Sequence, residues 1–518
     1  MPMHIGYNMV YEISGIWRCP NCNHHQPWKS GKKGLKALDR KCSECSERTR
    51  IMIERSQTGQ GRKSDAKVWI REKSTIDELV DEANSRNRPI SWDSETYNGN
   101  QSDLPKIWGG NWKPMSHLKF NKAIDPGELI GEILRFTAER WDGYLELVKD
   151  VLEDCVAPKS MNGEDFHKWS EIFCDLVYDA FEDRLHISKI NNVLQAEIMP
   201  RRDGRLYLSR KRTRLILDLR LLLRRLAYLS SITNEERIHW HRLMIRTRIL
   251  DRHLKELFVE GVETPDGTKF GGKGFRSTWQ EPIAACGTAL HLGKDVAAPM
   301  IRDLGLALSM GQTPLSIMSA QMGKSGSKMD GGHSDFGGRD LHIGDWDYGI
   351  LPPTAPLPIA SATATGIALA SSRKGDGRFT LAPVGEGCSS SGEFWEAINF
   401  AGARGLPICY IIQNNQIALD TFSNKQSGAE TFGDKGASVG LPAWSIDGSD
   451  PAIYYASVCV ARELAVSGGG GCIVHVETMR GCGHAHHHDD LYLGAENGNP
   501  PGLCRRRINA ILVKEGAN

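Results

Sequence analysis

The sequence predicts a multidomain chain whose C-terminal part is an α/β fold on a parallel sheet, preceded by an N-terminal cysteine ribbon and a helical region. Three observations carry this. After about residue 270, short β-branched runs alternate with helical stretches and Gly-rich turns, the pattern of a parallel sheet covered on both faces. Between 116 and 230 the apolar residues recur at helical spacing, as in Leu129, Ile133, Leu134 and Phe136, then Leu215, Leu219, Leu222 and Leu226. Two close cysteine pairs sit within the first 75 residues.

Composition narrows the class. With 518 residues, 40% hydrophobic and 25% charged, the chain is globular rather than disordered, collagenous or coiled-coil, and long enough for two or more domains. Lys plus Arg number 64 against 63 acids, so affinity for nucleic acid or membrane has to be local. No charged, apolar, small-residue leader opens the sequence, and a cytoplasmic location is expected. Thirteen cysteines in such a chain favour metal ligands and free thiols over a disulfide framework. The uncharged stretch Leu351 to Ala370 has four prolines in its first eight positions, which suits a loop and a buried helix better than a membrane span.

Element by element, residues 1–75 form a basic segment with fifteen Lys/Arg against seven Asp/Glu. Residues 76–115 are rich in Asn, Ser, Gly and Pro and read as a linker, with one short helix over 74–85. Residues 116–230 form a helical domain or spacer, and 231–518 the α/β domain. Thr233 with Glu236 offers a capping box for a helix over His239 to Phe258. Beyond it, Phe379 to Val384, Pro407 to Gln413 and Cys472 to Glu477 read as strands, and Gly392 to Arg404 as a helix. There is no internal repeat.

Cys19-Pro20-Asn21-Cys22 and Cys42-Ser43-Glu44-Cys45 are two C-x2-C knuckles separated by 19 residues. Four converging thiolates satisfy tetrahedral Zn²⁺, so Cys19, Cys22, Cys42 and Cys45 predict a structural zinc ribbon. His24 and His25 are solvated neighbours or substitute ligands. The basic residues Lys32, Lys33, Lys36, Arg40, Lys41, Arg48 and Arg50 form a solvated face or, as the lesser reading, touch nucleic acid phosphates.

The most informative constellation is Gly385-Glu386-Gly387-Cys388 after a predicted strand, followed by Ser389-Ser390-Ser391-Gly392 and a helix, then a second strand ending in Gln413-Asn414-Asn415. Small residues at the carboxyl end of a parallel strand let backbone N–H groups approach a phosphate, and the next helix presents its positive end. Glu386 adds a hard carboxylate oxygen and Asn415 an amide oxygen, a donor set that suits Mg²⁺ shared with a diphosphate.

Residues 233 to 502 resemble the alpha subunit of the thiamine diphosphate-dependent first component of 2-oxo acid dehydrogenase complexes. The motifs stand in the family's order: Trp279-Gln280-Glu281-Pro282, Ile301-Arg302-Asp303, Gly337 through His342, Glu396-Ala397-Ile398-Asn399, Leu406-Pro407, Asn414-Asn415, Asp447-Gly448-Ser449-Asp450, and Met479-Arg480 leading to Gly483-His484. The resemblance implies an α/β thiamine diphosphate-binding fold. It assigns Mg²⁺ to the side chains of Glu386 and Asn415 and the carbonyl of Ile417, and the diphosphate to Arg302 and the backbone at Gly387 and Cys388. Gly349 and Leu351 match the segment that holds the aminopyrimidine and bends the cofactor. His484 matches the active-site histidine, with His486 as its rival in register. Three positions depart from the family pattern. Ile301 replaces a usual Tyr, Ala485 a usual Ser, and the run His486-His487-His488 inserts one residue before Asp489-Asp490. The family more often has Asp where Glu386 stands, and Glu occurs in its branched-chain branch, which leans the substrate towards branched-chain 2-oxo acids.

The implied activity is oxidative decarboxylation of a 2-oxo acid with acyl transfer to a lipoyl group on an acyltransferase core. The implied partner is a beta subunit in an α2β2 assembly, since the second cofactor-binding half is not found in this sequence. Ser319 through Lys324 and Gly483 through His486 resemble relatives in which both halves are fused. The sequence ends 28 residues after Asp490 with a tail from Cys504 unlike the family's continuation, which predicts a truncated C-terminus and a missing fused beta half. An acetoin-type or other thiamine-dependent lyase is the alternative within this chemistry. From another class, the chain is a zinc-ribbon nucleic-acid or regulatory binding protein with an inactive enzyme-like domain. Read alone, His484 through Asp490 resembles a metal site or a proton-handling anion loop, and His333 and His342 mark a mobile or substrate-side loop.

Overall fold

The computed structural model describes five strands within residues 14–69 and, further on, residues 115–155, 157, 161–185, 204–263, 267, 269–270, 274–322, 342–419 and 421–488. The chain divides into two compact units, Met1–Gly99 and Asn100–Asn518.

In the first unit, β1 (Ser14–Arg18) and β2 (His25–Lys29) form an antiparallel hairpin with Arg18 opposite His25. A second ladder joins β3 (Ala37–Lys41), β4 (Arg48–Ile53) and β5 (Val68–Trp69), with Lys41 opposite Arg48. The four ribbon cysteines fall in the connections 19–24 and 42–47, outside the described residues, as do the expected 74–85 helix and the linker up to residue 114.

The second unit begins with four helices, α1 (Pro126–Arg140), α2 (Leu145–Asp154), α3 (Gly163–Leu185) and α4 (Gly204–Ser231). Asp125 caps α1 by accepting from Glu128 N at 2.9 Å, with Pro126 at the first helical position. The capping box expected at Thr233 starts α5 (Asn234–Glu260): Glu236 N donates to Thr233 Oγ1 at 3.1 Å and Thr233 N to Glu236 Oε2 at 2.8 Å.

A small ladder, β6 (Val262–Glu263) with β7 (Lys269–Phe270), precedes the α/β region. There the chain runs through α6 (Ala284–Thr288), β8 (Val296–Ala297), α7 (Leu304–Ser309), α8 (Pro314–Gln321), α9 (Ile359–Lys374), β9 (Thr380–Gly385) and α10 (Gly392–Arg404). It continues through β10 (Ile408–Asn414), β11 (Ile417–Ala418), β12 (Thr421–Phe422), α11 (Asp434–Val439), β13 (Ala443–Asp447), α12 (Pro451–Leu464) and β14 (Cys472–Glu477). The five-stranded sheet has the order β13-β14-β10-β9-β8, and every neighbouring pair in it is parallel.

Helices cover both faces, which is why β10 is buried at every residue and reads as an apolar run rather than an alternation. Its residues nonetheless divide by parity. Cys409 and Ile411 enter one core, shared with Ala284, Tyr454 and Val458. Ile408, Tyr410 and Ile412 enter the other, with Ala364, Phe394 and Ile398. The helices of 116–230 belong to the first of these cores through Leu215, Leu219 and Leu222. Arg224 Nε also donates to Glu463 Oε2 at 3.0 Å, and Arg225 lies over the Trp444 ring at 5.6 Å. The segment read from sequence as a domain or spacer therefore packs into the same compact unit as the α/β region.

Among the described residues no helix is long and apolar enough to cross a membrane. Ile411→Ala removes a fully buried side chain from the central strand and should cost about 2–5 kcal/mol of stability. Urea unfolding checks this as a lower midpoint with an unchanged slope.

Candidate active site at the carboxyl ends of the sheet

The parallel register brings Gly385, the last residue of β9, opposite Gln413 on β10. Glu386 and Asn415 thus leave adjacent strands at the same end of the sheet. After Glu386 the chain tightens into a 3-10 turn over Cys388–Ser390 and enters α10 at Gly392. The turn is held from inside, since Ser389 Oγ donates to Glu386 O at 2.6 Å and Ser391 Oγ to Cys388 O at 2.8 Å. A lysine fastens it from outside: Lys435 on α11 donates to Ser389 O at 2.7 Å, Ser389 Oγ at 3.0 Å and Ser390 Oγ at 3.3 Å. Gly387 is obligatory here, because a Cβ would come within 2.5 Å of the Ala418 Cβ.

The two asparagines ending β10 do different work. Asn414 Nδ2 donates to Glu477 at 2.9 Å and so ties β10 to β14. Asn415 is 1% exposed, donates to Gln280 Oε1 at 3.0 Å and accepts from Ile417 N at 3.3 Å. Arg302 is placed by its neighbours. Ser277 Oγ donates to its carbonyl, and Asp303 accepts from Met300 N at 2.9 Å and from Gln413 Nε2 at 3.0 Å. A Cβ on Gly385 would stand 3.8 Å from Arg302 Nη2, so the guanidinium lies beside the end of β9.

The decisive electrostatic feature is what these groups lack. Glu386 is 1% exposed and its Oε1 has no hydrogen-bond partner; Arg302 Nε and Nη2 are likewise buried and unpartnered. Burial holds the Glu386 carboxyl above the usual range, and Arg302 and Arg480 offset only part of that. A buried acceptor beside buried donors, none satisfied, is a cradle shaped for ligands of both signs. Glu386, Asn415 and Ile417 suit a divalent cation, and Arg302 with the Gly387 backbone suits a diphosphate. Among the described residues no group of three or more His, Cys, Asp or Glu could hold a metal by itself.

Gly349 and Leu351 pair with Ala297 of β8, on the edge of the same sheet. Gly349 has φ 72°, and a Cβ there would meet Asp295 O at 2.6 Å. Its carbonyl accepts from Ala297 N at 2.9 Å, and Leu351 N donates to Ala297 O at 2.8 Å. Leu351 packs half-buried against the core that holds Ala364 and Phe394. Burial pushes the Cys388 thiol up to about 12, so it is an uncharged wall at neutral pH.

The two rival histidines occupy different environments. His484 is half-buried, 5.0 Å from the Phe275 ring, with its Nδ1 3.4 Å from Arg480 Nη1. His486 is 4% exposed, packs on Phe258 at 5.4 Å, and fills the space that a Cβ on Gly274 would need. Arg480 links His484 to the cradle, donating to Leu419 O at 3.2 Å and lying within electrostatic reach of Glu386. His342 is half-buried, while His333, Asp489 and Asp490 lie outside the described residues.

The strained backbone of three residues near the site was not foreseen from the sequence. Trp279, Gln416 and Leu419 are the non-glycine residues with positive φ among those described, at 71°, 71° and 54°, and such strain gathers at functional loops. Lys435 was missed as well, because it belongs to no local motif, and Gln280, though part of the Trp279–Pro282 motif, carried no hint of its bond to Asn415.

Glu386→Gln provides a direct check on the desolvated carboxylate. A carboxyl with a raised folded-state pKa contributes nothing unfavourable below the ordinary carboxylate range, and its cost grows as pH rises through the raised value. The ligand-free variant should therefore melt higher than the parent at pH 8, with the gap closing as pH falls towards 4. Scanning calorimetry across that range reads it.

Residues 275–493 match the family model described as dehydrogenase E1 component. The 2-oxoisovalerate dehydrogenase subunit alpha of Bacillus subtilis (strain 168) is 28% identical over 269 residues, covering 51% of this chain and 78% of that protein. The pyruvate dehydrogenase E1 component subunit alpha of the same organism is 35% identical over 144 residues, 28% of this chain and 39% of that protein. The corresponding subunit of Staphylococcus aureus (strain Mu50 / ATCC 700699) is 38% identical over 140 residues, 27% of this chain and 38% of that protein. The chain thus spans under two-fifths of the pyruvate dehydrogenase relatives it matches. Residues 275–493 are similar to the dehydrogenase E1 component family, and the relatives matched are alpha subunits of 2-oxoisovalerate and pyruvate dehydrogenases.

Proposed function

We propose that the chain is the alpha subunit of a thiamine diphosphate- and Mg²⁺-dependent 2-oxo acid dehydrogenase that needs a beta partner to complete its site. The observation that carries this is the buried, unpartnered Oε1 of Glu386 beside the buried, unpartnered Nε and Nη2 of Arg302, at one end of a parallel sheet. Neither is tolerable in a finished apolar core. Together they fit a magnesium diphosphate.

Thiamine diphosphate, when bound, supplies the electron sink for decarboxylation. The chain's own residues bind and orient. Glu386 and Asn415, with the Ile417 carbonyl, hold the cation. Arg302 presents two free N–H donors to the diphosphate, and the Lys435 bonds keep the Cys388–Ser390 turn from opening. Gly349 and Leu351 hold the cofactor's ring system, with Leu351 as the apolar support. Arginine can only donate, so the 3.4 Å contact with Arg480 makes His484 Nδ1 an acceptor and leaves the proton on Nε2. His484 is then a neutral donor towards a substrate carboxylate, and its half-exposed setting favours it over the buried His486.

Branched-chain 2-oxo acids are the preferred substrate class, supported by Glu386 and by the likeness to a 2-oxoisovalerate dehydrogenase subunit. Acyl transfer to a lipoyl-bearing acyltransferase core and a cytoplasmic location complete the reading. In domain terms, 1–75 is a zinc ribbon, 76–115 a linker, 116–230 a helical region and 231–518 the cofactor-binding domain. The ribbon is supported by the hairpin registers. The connections 19–24 and 42–47 each carry Cys at their first and fourth positions, directly after β1 and β3, as two knuckles sharing one Zn²⁺ require.

Isothermal titration with thiamine diphosphate and Mg²⁺ tests the core of this reading. Saturable, Mg²⁺-dependent binding is expected, weakened at least a hundredfold by Glu386→Ala, together with decarboxylation of 2-oxoisovalerate once a beta subunit is supplied. Binding that is indifferent to Mg²⁺ and to Glu386 would reject it. Zinc content of about one ion per chain by mass spectrometry, lost on Cys42→Ser with Cys45→Ser, is the expected result for the ribbon.

A further inference from the structure

A cavity of about 510 Å³ lies where α1, α4 and α11 meet, outside the cradle described above. Its apolar walls include Trp141, Tyr144 and Leu217, and three cations, Arg140, Lys211 and Arg214, line it as well. The acids among its lining residues are largely committed. Asp142 accepts from its neighbour Gly143 N at 2.8 Å, and Asp218 accepts from Trp141 Nε1 at 2.9 Å. Burial pushes the Asp218 carboxyl up to about 7, so the floor carries less negative charge than its composition suggests.

Arg140 is the group that points to a ligand. Its side chain is 7% exposed; Nη1 pairs with Asp434, while Nε is buried with no hydrogen-bond partner. A half-open pocket with apolar walls, an unsatisfied guanidinium N–H and two further cations has the chemistry of an organic-anion site, and its size suits one small molecule.

The cavity also touches the machinery of the cradle. Asp434, the partner of Arg140, is the first residue of α11 and accepts from Thr431 N at 2.8 Å. The next residue, Lys435, is the one whose ammonium fastens Ser389 and Ser390. Ala437 and Gly440, at the far end of α11, line the cavity.

We propose that this cavity binds a small organic anion, one carboxylate or phosphate group on an aromatic or apolar body, and that α11 transmits its occupancy to the 388–391 turn. The role of that turn as the diphosphate cradle rests on the function proposed above; the anion site and its mechanical link do not.

The test uses the full chain without thiamine diphosphate. Anilinonaphthalenesulfonate reports binding by fluorescence, and phenyl phosphate and phenylacetate displace it in separate arms, with benzylamine as the cationic control. Displacement by one or both anions but not by benzylamine is expected. Arg214→Gln should weaken it about tenfold, and Ala437→Trp, which fills the mouth from the exposed side of α11, should abolish it, both with the parent's melting temperature. Amide exchange at 388–391 should slow with the anion bound, and that slowing should vanish in Lys435→Met while displacement survives. Displacement by benzylamine as good as by the anions, or affinities untouched in both cavity variants, overturns the site. Unaltered exchange at 388–391 with the anion bound overturns the link, and neither result depends on whether thiamine diphosphate binds.

Discussion

The account turns on an electrostatic debt left open at the end of a parallel sheet. The packing of α9, α10 and α12 on β9 and β10 takes Glu386 Oε1 and Arg302 Nε and Nη2 out of water, yet these three atoms find no partner in the protein. Ordinary cores do not tolerate this, because each unsatisfied buried polar group costs on the order of 1–3 kcal/mol, and more when charged. Here the surroundings reinforce it. Asp303 and Ser277 fix Arg302 in place, Gln280 orients Asn415, and Gly387 allows β11 to approach. The scaffold holds a carboxylate oxygen and guanidinium nitrogens ready, so on the function we propose a ligand carrying both charges meets a preorganised site.

Much of this was legible in the sequence because the carriers are local. Gly385 through Gly392 and Asn414-Asn415 are short, ordered motifs at strand ends, and the strands between them are apolar runs long enough to recognise. Helix α10 and strand β14 lie where the pattern places them, while β9 and β10 each lie one residue later than expected. The short edge strands escaped. β8 has two residues, and β13 carries Ser445 between apolar neighbours, so neither presents a period to read.

The supporting residues escaped for a different reason. Lys435 and Gln280 reach their partners across 46 and 135 positions; nothing marks the neighbourhood of Lys435, and the motif around Gln280 does not tell which residue it contacts. The choice between His484 and His486 was likewise beyond a spacing argument. In space the two differ: the missing Cβ of Gly274 leaves room for the His486 ring, and Arg480 contacts His484, which is why we propose His484. The helical region shows the same limit: periodicity announced amphipathic helices, but not that their apolar faces would merge with α12 into one core.

The central claim is that the unsatisfied carboxylate and guanidinium share one charged guest. An experimental electron-density map of the chain grown with thiamine diphosphate and Mg²⁺ tests it most directly. The account predicts a cation about 2.1 Å from a Glu386 oxygen and from the Asn415 amide oxygen, with the Arg302 guanidinium on the diphosphate. A cation bound elsewhere, with Glu386 and Arg302 still facing each other unoccupied, would contradict it.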